Sequence, residues 1–233
     1  MVKTSLEARR QPEYWYERAG LPKRYWGVDF EDFRTETQTQ HSMLDAAATL
    51  DVAMDFNAHG GVGLTMLGKP GLGKTMLASI IAKRHIYRHP PANVYEYRPP
   101  AEFTTLPRYH ELLLEAIELD RKSDVAFGDD QHDLLLRWEE NSERRRYLRE
   151  ELPLLVVDDL GKEHATKSGH VEYALDVMLR ERFDRGLVTV VTSNLALKDI
   201  RRRYGDPMAS FIHEATNVLW IDGEDARLRR ARG

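Results

Sequence analysis

Apolar and polar positions follow two different periods along this chain. Short, continuous apolar runs predict buried strands at residues 62–67, 154–157, 187–191 and 218–221, with a further strand at either 93–97 or 103–106. Apolar residues three and four positions apart predict helices at 42–58, 75–87, 109–121, 130–150 and 171–185. Strands that are apolar on both faces and alternate with helices indicate an α/β fold. We expect one parallel sheet of about five strands, sandwiched by helices.

The ends of the chain carry weaker patterns. Residues 6–18 predict a short aromatic helix interrupted by Pro12, and an extended segment follows Gly20 as far as Phe33. We therefore expect an N-terminal arm at residues 1–40 and one α/β core at 41–233. About ten residues follow the last predicted strand, so we expect no C-terminal helical lid domain.

A glycine-rich segment joins the first core strand to the following helix and matches the phosphate-loop pattern GxxxxGKT in full. Its glycines allow several main-chain amides to point at phosphate oxygens, next to the positive end of a helix. We expect Lys74 to supply a charge to the terminal phosphates of ATP and the Thr75 hydroxyl to ligate Mg²⁺. The predicted ATP-binding residues of the loop are Gly68, Lys69, Pro70, Gly71, Leu72, Gly73, Lys74 and Thr75.

Two carboxylates end the apolar run 154–157. Asp158 is the predicted Mg²⁺ partner of Thr75, and Asp159 is the residue expected to polarise the attacking water. A glutamate is commoner in the second position, and aspartate is about one methylene shorter. The alternative for Asp159 is a structural one, in which it tethers the turn at Gly161. Glu163 is a reserve candidate for a role near the nucleotide.

Two further polar residues lie where they would reach the same site. Asn194 follows the strand 187–191 and is expected to orient the lytic water if that strand neighbours the phosphate-loop strand; otherwise it opens the next helix as an N-cap. Arg227, beyond the last strand, is expected to reach the phosphates from the opposite side or to be one of several solvated tail arginines.

The amino-acid composition excludes several kinds of site. The 233 residues include no cysteine, which excludes disulfides and thiolate zinc sites, and the formal charge of −4 neither requires nor excludes nucleic acid. The first residues have no signal-peptide core, and no apolar run approaches the length of a membrane span. We expect a soluble, cytoplasmic protein. His85 and His89 are expected to be surface residues, because no third metal ligand is in view.

Taken together, these motifs resemble the DnaC-type helicase loaders and the IstB-type transposition ATPases, a branch of the AAA+ proteins. The matching stretches are residues 21–25 with Phe30 and Phe33, residues 68–75, residues 157–163, and residues 182–186 with 192–194, Gly223 and Arg227. The resemblance implies an AAA+ core, ATP and Mg²⁺, and sensor-one and sensor-two roles for Asn194 and Arg227. It also implies contact with single-stranded DNA and docking to a DnaB-type replicative helicase. We add Met76 and Tyr25 to the predicted nucleotide contacts.

The chain departs from this family in two places. Only about 20 residues precede Leu21, so the aromatic stretch 14–16 is either a reduced helicase-docking helix or a strap on the core. The helix around residues 208–214 has no arginine to reach a neighbouring subunit, unless Arg201–Arg203 replace it in a homo-oligomer. Two alternatives to a loader therefore stay open: a transposition helper that binds duplex DNA and a transposase, and a nucleotide-gated interaction module with negligible turnover.

Overall fold

The computed structural model describes residues 11–55, 60–91, 98–123, 129–162 and 170–223. The strands in these ranges are β1 (Gly63–Gly68), β2 (Ala101–Thr105), β3 (Leu154–Leu160), β4 (Val188–Ser193) and β5 (Thr216–Ile221). The helices are α1 (Pro12–Arg18), α2 (Gln38–Asp55), α3 (Lys74–Arg88), α4 (Leu106–Ser123), α5 (Asp129–Glu150), α6 (His170–Asp184) and α7 (Leu197–Ala215). Two short 3₁₀ turns, Lys23–Tyr25 and Phe30–Asp32, follow α1.

Within the described residues the strands form one sheet in the order β2-β3-β4-β1-β5, and every neighbouring pair is parallel. The predicted α/β architecture is therefore confirmed. β1 lies between β4 and β5, with Leu67 opposite Ser193 and Gly68 opposite Ile221. Since the carboxyl ends of parallel strands meet at one edge, the phosphate loop, the end of β3 and the end of β4 are brought together there.

Each face of the sheet carries its own apolar core. One core packs α1, α2 and α3 against alternate residues of the strands, such as Leu64, Met66 and Val156. The other packs α4 to α7 against the residues between them, such as Val157 and Val191. Strands buried on both faces explain why they read as continuous apolar runs in the sequence.

The arm residues described by the structure form a strap on the core. Trp15 and Tyr16 are 4% and 6% exposed, so the aromatic stretch is packed rather than presented to a partner. The Phe103 amide donates to the Ala19 carbonyl at 2.7 Å, which joins the strap to the outer edge of β2. Pro12 is the first residue of α1, where its missing N–H costs nothing. The part of the predicted helix before Pro12, residues 6–10, lies outside the described residues.

Ion pairs hold the strap to the helix that begins at the phosphate loop. Asp29 pairs with Arg84 at 3.1 Å and with Lys83 at 3.5 Å, and Arg84 also reaches the buried Asp51 at 2.9 Å. The Phe30 amide and Arg84 both donate to Asp29 Oδ1, and Lys83 lies against Oδ2. Burial alone would raise the pKa of the Asp29 carboxyl, but these contacts outweigh it and hold that pKa below its usual value. The strap and α3 therefore form one packed unit.

The sequence patterns misplaced several details. The strand between α3 and α4 is Ala101–Thr105, close to the second of the two predicted positions, whereas residues 93–97 lie outside the described residues. His85 is 6% exposed and not a surface residue, because its side of α3 faces the core; His89, stacked 4.6 Å from it, does meet solvent.

In the described ranges, no helix combines the length and apolarity that a bilayer crossing requires.

Candidate functional site

The phosphate loop curls around the amino end of α3. Gly73 caps the helix with a φ of 88°, and Lys74 is 6% exposed. The Lys74 ammonium donates to the Gly68 and Lys69 carbonyls, both at 2.7 Å, so the lysine lies folded inside the loop. Helix-terminal amides and a lysine confined to one small volume form an anion-binding site. The role of the loop residues in binding ATP stays a prediction.

Gly73 also touches the strap. A methyl group on its α-carbon would overlap the Phe33 ring, and its backbone is left-handed. We expect Gly73→Ala to lower the free energy of unfolding by about 1–3 kcal/mol, through backbone strain and displacement of Phe33. Urea unfolding in a double-mutant cycle with Phe33→Ala measures the shared part. An equal cost of Gly73→Ala in both backgrounds would show that Phe33 does not press on the loop.

Thr75 and Asp158 meet at the mouth of the loop. The Thr75 hydroxyl donates to Asp158 Oδ1 at 3.0 Å, and Oδ2 lies 3.3 Å away. Thr192, at the end of β4, donates to the same Oδ1 and accepts from the Asp159 amide at 3.1 Å. Three elements that are far apart in sequence therefore hold one carboxylate against the loop.

Burial raises the pKa of Asp158, assisted by the nearby Asp159 charge, while the hydroxyls of Thr192 and Thr75 oppose the increase. A cation placed here would relieve that cost. Among the described residues, no three His, Asp or Glu side chains form a protein-only metal cage. One hydroxyl and one carboxylate beside a phosphate loop are the donor set that suits Mg²⁺ shared with a nucleotide. The residues present fit the predicted pair, Thr75 and Asp158.

Asp159 lies where the pairing of β3 with β4 shifts register, between Val157 and Leu160. Asp159 has a φ of 63°, an uncommon value outside glycine, and such strain concentrates at functional sites. Its carboxylate accepts from the Lys162 ammonium at 2.7 Å and from Asn194 Nδ2 at 3.4 Å. The structure thus brings together both residues predicted to handle water, and it adds Lys162.

Asn194 is not the N-cap of the following helix. α7 begins at Leu197 with Ala196 in the cap position, so that alternative is wrong. β4 is next to β1, the condition under which the sequence predicted a site role for Asn194. Its neighbour Ser193 has a structural contact instead, since its hydroxyl donates to the Leu160 carbonyl at 2.6 Å.

The other residues predicted from the sequence are either described away from these contacts or lie outside the described residues. Met76 packs partly buried against the apolar core, and Tyr25 lies in the first 3₁₀ turn under the Arg24 guanidinium, 4.7 Å from its ring centre. Arg227 and Glu163 lie outside the described residues. Gly223 ends the described chain close to Leu72 of the loop, which places residue 223 at the site. The predicted absence of a lid concerns residues after Gly223, also outside the described ranges.

Sequence reasoning missed two contributors. Lys162 was seen only as part of a matching stretch, although a lysine three residues after a strand-end aspartate is a detectable signal for an ion pair. Thr192 was grouped with Ser193 and Asn194 without a function of its own. Its contacts with Asp158 and Asp159 depend on the alignment of β3 with β4, which no local pattern reveals.

Known proteins resemble this chain in their solved structures rather than in sequence. No protein-family description and no curated protein matches the sequence. Among solved structures, the DnaC helicase loader superposes with a TM-score of 0.60 at 24% identity, covering 86% of this chain and 100% of that one. Domain III of the Thermotoga maritima replication initiation protein DnaA has a TM-score of 0.61 at 18% identity, covering 91% of this chain and 72% of that one.

A third similar structure is the replication initiator DnaA bound to AMPPCP and single-stranded DNA. It has a TM-score of 0.62 at 13% identity, with coverage of 91% of this chain and 54% of that chain. These neighbours confirm, in fold, the resemblance to DnaC-type proteins that the motifs indicate. The chain shares its α/β fold, with one parallel five-stranded sheet between helices, with the solved helicase loaders and replication initiators.

Proposed function

We propose that this protein is a Mg²⁺-dependent ATPase of the helicase-loader type, acting in DNA replication with a DnaB-type replicative helicase and single-stranded DNA as partners. The observation that supports a loader most strongly is that the similarity extends over the entire length of the DnaC chain and 86% of this one. The same motifs and the packed site between Lys74 and Asp158 support nucleotide binding.

Each site residue has a distinct task in this proposal. The loop amides and Lys74 bind the phosphates, which requires the lysine to leave the Gly68 and Lys69 carbonyls. Thr75 and Asp158 hold Mg²⁺, which when bound neutralises phosphate charge. Asp159 accepts a proton from water, and Asn194, 3.4 Å from it, keeps that water in line.

The nucleotide-gated module is a second candidate, and one contact favours it. Lys162 pairs with Asp159 at 2.7 Å, so this carboxylate has to give up an ion pair before it can engage the attacking water. We expect slow hydrolysis that falls by a factor of about 10² or more in Asp159→Asn. Steady-state phosphate release measures the hydrolysis rate of the parent protein and of the Asp159→Asn variant. Equal measurable rates would exclude catalysis by Asp159, and rates at the buffer background in both proteins would favour the gated module.

Lys162→Met separates the two candidates further. If the ion pair restrains Asp159, removing the lysine is expected to raise the hydrolysis rate severalfold while leaving nucleotide affinity unchanged. Arg185→Met, an exposed cation that pairs with Glu150 far from the loop, serves as the charge-matched control. A lower rate in Lys162→Met would instead assign Lys162 a supporting part in the reaction.

Partner binding tests the loader proposal directly. We expect co-sedimentation with a DnaB-type helicase and filter retention of single-stranded DNA, both dependent on ATP and lost in Lys74→Ala. A duplex of the same sequence serves as the competitor. Preference for duplex DNA together with capture of a transposase would favour the transposition helper, whereas no binding to helicase or either DNA would remove the loader assignment.

A further inference from the structure

A polar cavity lies where the strap meets the outer edge of β2. Its volume is about 330 Å³, and it opens between the strap, the outer edge of β2 and the first turns of α4. The polar residues lining it are Glu17, Arg18, Glu102, Thr104, Arg108, Tyr109 and Arg144. None of the residues assigned to ATP or Mg²⁺ contributes to it.

A buried carboxylate forms the floor of this cavity. Glu102 is 5% exposed; Oε1 accepts from Arg144, whereas Oε2 is buried and has no hydrogen-bond partner among the described residues. An unpartnered buried acceptor costs free energy comparable to a lost hydrogen bond. An N–H or O–H donor entering the cavity would satisfy this oxygen, so the floor selects ligands that carry one.

The rim of the cavity is cationic. Glu17 is paired with Lys23 at 3.0 Å and Arg144 with Glu102, but the exposed Arg108 forms no ion pair within the described ranges. A guanidinium group is planar and binds a phosphate in a bidentate manner, through two parallel N–H···O hydrogen bonds. The rim therefore selects an anion.

We infer that this cavity binds an unpaired nucleotide, with its phosphate at Arg108 and a base N–H directed at Glu102 Oε2. Every unpaired base exposes an N–H donor on its pairing edge, whereas in a duplex these donors are consumed by the opposite strand. A free amino acid also joins an anion to an N–H donor, but it would leave much of the volume empty. A nucleotide is of the size that pockets of 300–1,000 Å³ hold.

The ligand has two sources, a free mononucleotide or one residue of a single strand, and only the second rests on the proposed function. The probes are dGMP, measured by calorimetry, and a fluorescein-labelled single-stranded 12-mer, measured by anisotropy. dGMP is titrated into the full chain carrying Lys74→Ala, which removes most nucleotide binding at the phosphate loop, whereas the 12-mer is titrated into the full chain with Lys74 intact and with ATP and Mg²⁺ present. Arg108→Ala and Glu102→Gln are added separately, with Arg121→Ala on the same helix as the control.

We expect Arg108→Ala to weaken binding by at least about tenfold and Arg121→Ala by less than about twofold. Arg108→Ala should also reduce the salt dependence of 12-mer binding by a slope of about 0.7, a change that loss of packing alone would not produce. Glu102→Gln retains the shape but weakens the acceptor, so a loss of about fivefold is expected. Circular dichroism checks that each variant is folded.

The outcomes separate this site from the proposed function. If the 12-mer binds but Arg108→Ala matches Arg121→Ala, the cavity is not the site, and the loader proposal stands. If dGMP binds through Arg108 and the 12-mer does not bind, the cavity is a free-nucleotide site and the DNA part of the loader proposal fails. If neither probe binds the parent protein, the inference is overturned.

Discussion

Replacing Lys74 with alanine is expected to lower the affinity for ATP by about ten- to a hundredfold. The lysine is the one full positive charge enclosed by the loop residues 68–75, and a charge-assisted hydrogen bond contributes about 1.5–3 kcal/mol. Calorimetric titration with a slowly hydrolysed ATP analogue and Mg²⁺ measures the change.

Lys69→Ala is the matched control for this prediction. Lys69 lies in the same loop but is exposed, so its removal is expected to change the affinity by less than about fivefold. If Lys74→Ala bound ATP as tightly as the parent protein, the phosphates would have to lie elsewhere, and the assignment of this loop would be wrong. Thermal unfolding in the absence of nucleotide checks that the variant remains folded.

Arg182→Leu is expected to lower the free energy of unfolding by about 3–5 kcal/mol. The side chain is 0% exposed and donates to Thr189 Oγ1 at 2.9 Å, to the Val188 carbonyl at 2.7 Å and to the Leu148 carbonyl. Burial lowers the pKa of this arginine to about 9, with the charge of Glu102 opposing the decrease. Leucine would fill most of the volume but would remove all three hydrogen bonds.

Urea unfolding gives the measurement for Arg182→Leu. Arg180→Leu is the control on the same helix, because Arg180 is partly exposed and pairs with Asp176 near the surface at 2.9 Å; a cost below about 1 kcal/mol is expected. Equal costs for the two variants would show that the buried hydrogen bonds of Arg182 add no stability beyond a surface pair.

The phosphate loop is the part of the site that sequence describes best, and the reason is local. Its donors, glycines and lysine are consecutive, so their spacing alone determines the geometry around Gly73 and Lys74. Asp158 was predicted for a related reason, because the end of a buried parallel strand reaches the same sheet edge. Neither prediction needs knowledge of which strands are neighbours.

Contacts between distant segments were not accessible in this way. The Thr192 hydroxyl reaches Asp158 only because β4 lies beside β3, and the strap covers β2 only because Ala19 accepts from Phe103. Arg182 and Glu102 are buried, although a charged side chain in a sequence is normally expected to be exposed unless it is paired. Such positions are determined by tertiary packing, which overrides local propensity.

The strand after α3 shows the same limit at the level of secondary structure. Two neighbouring segments around residues 93–97 and 103–106 have similar apolar content, separated by prolines, and periodicity cannot rank them. The structure places β2 at Ala101–Thr105, where its Glu102 side chain finds Arg144. An ion pair with a helix some forty residues later is not encoded in the pattern around it.

The strap contacts both the β2 edge beside the cavity and the phosphate loop. Ala19 is bonded to β2 beside the cavity lined by Glu102, and Phe33 of the same segment rests on Gly73 in the phosphate loop. Two binding events that both displace one short segment are thermodynamically linked, and the linkage is reciprocal. Whatever factor ATP imposes on the affinity of the β2 cavity, a ligand in that cavity must impose on ATP.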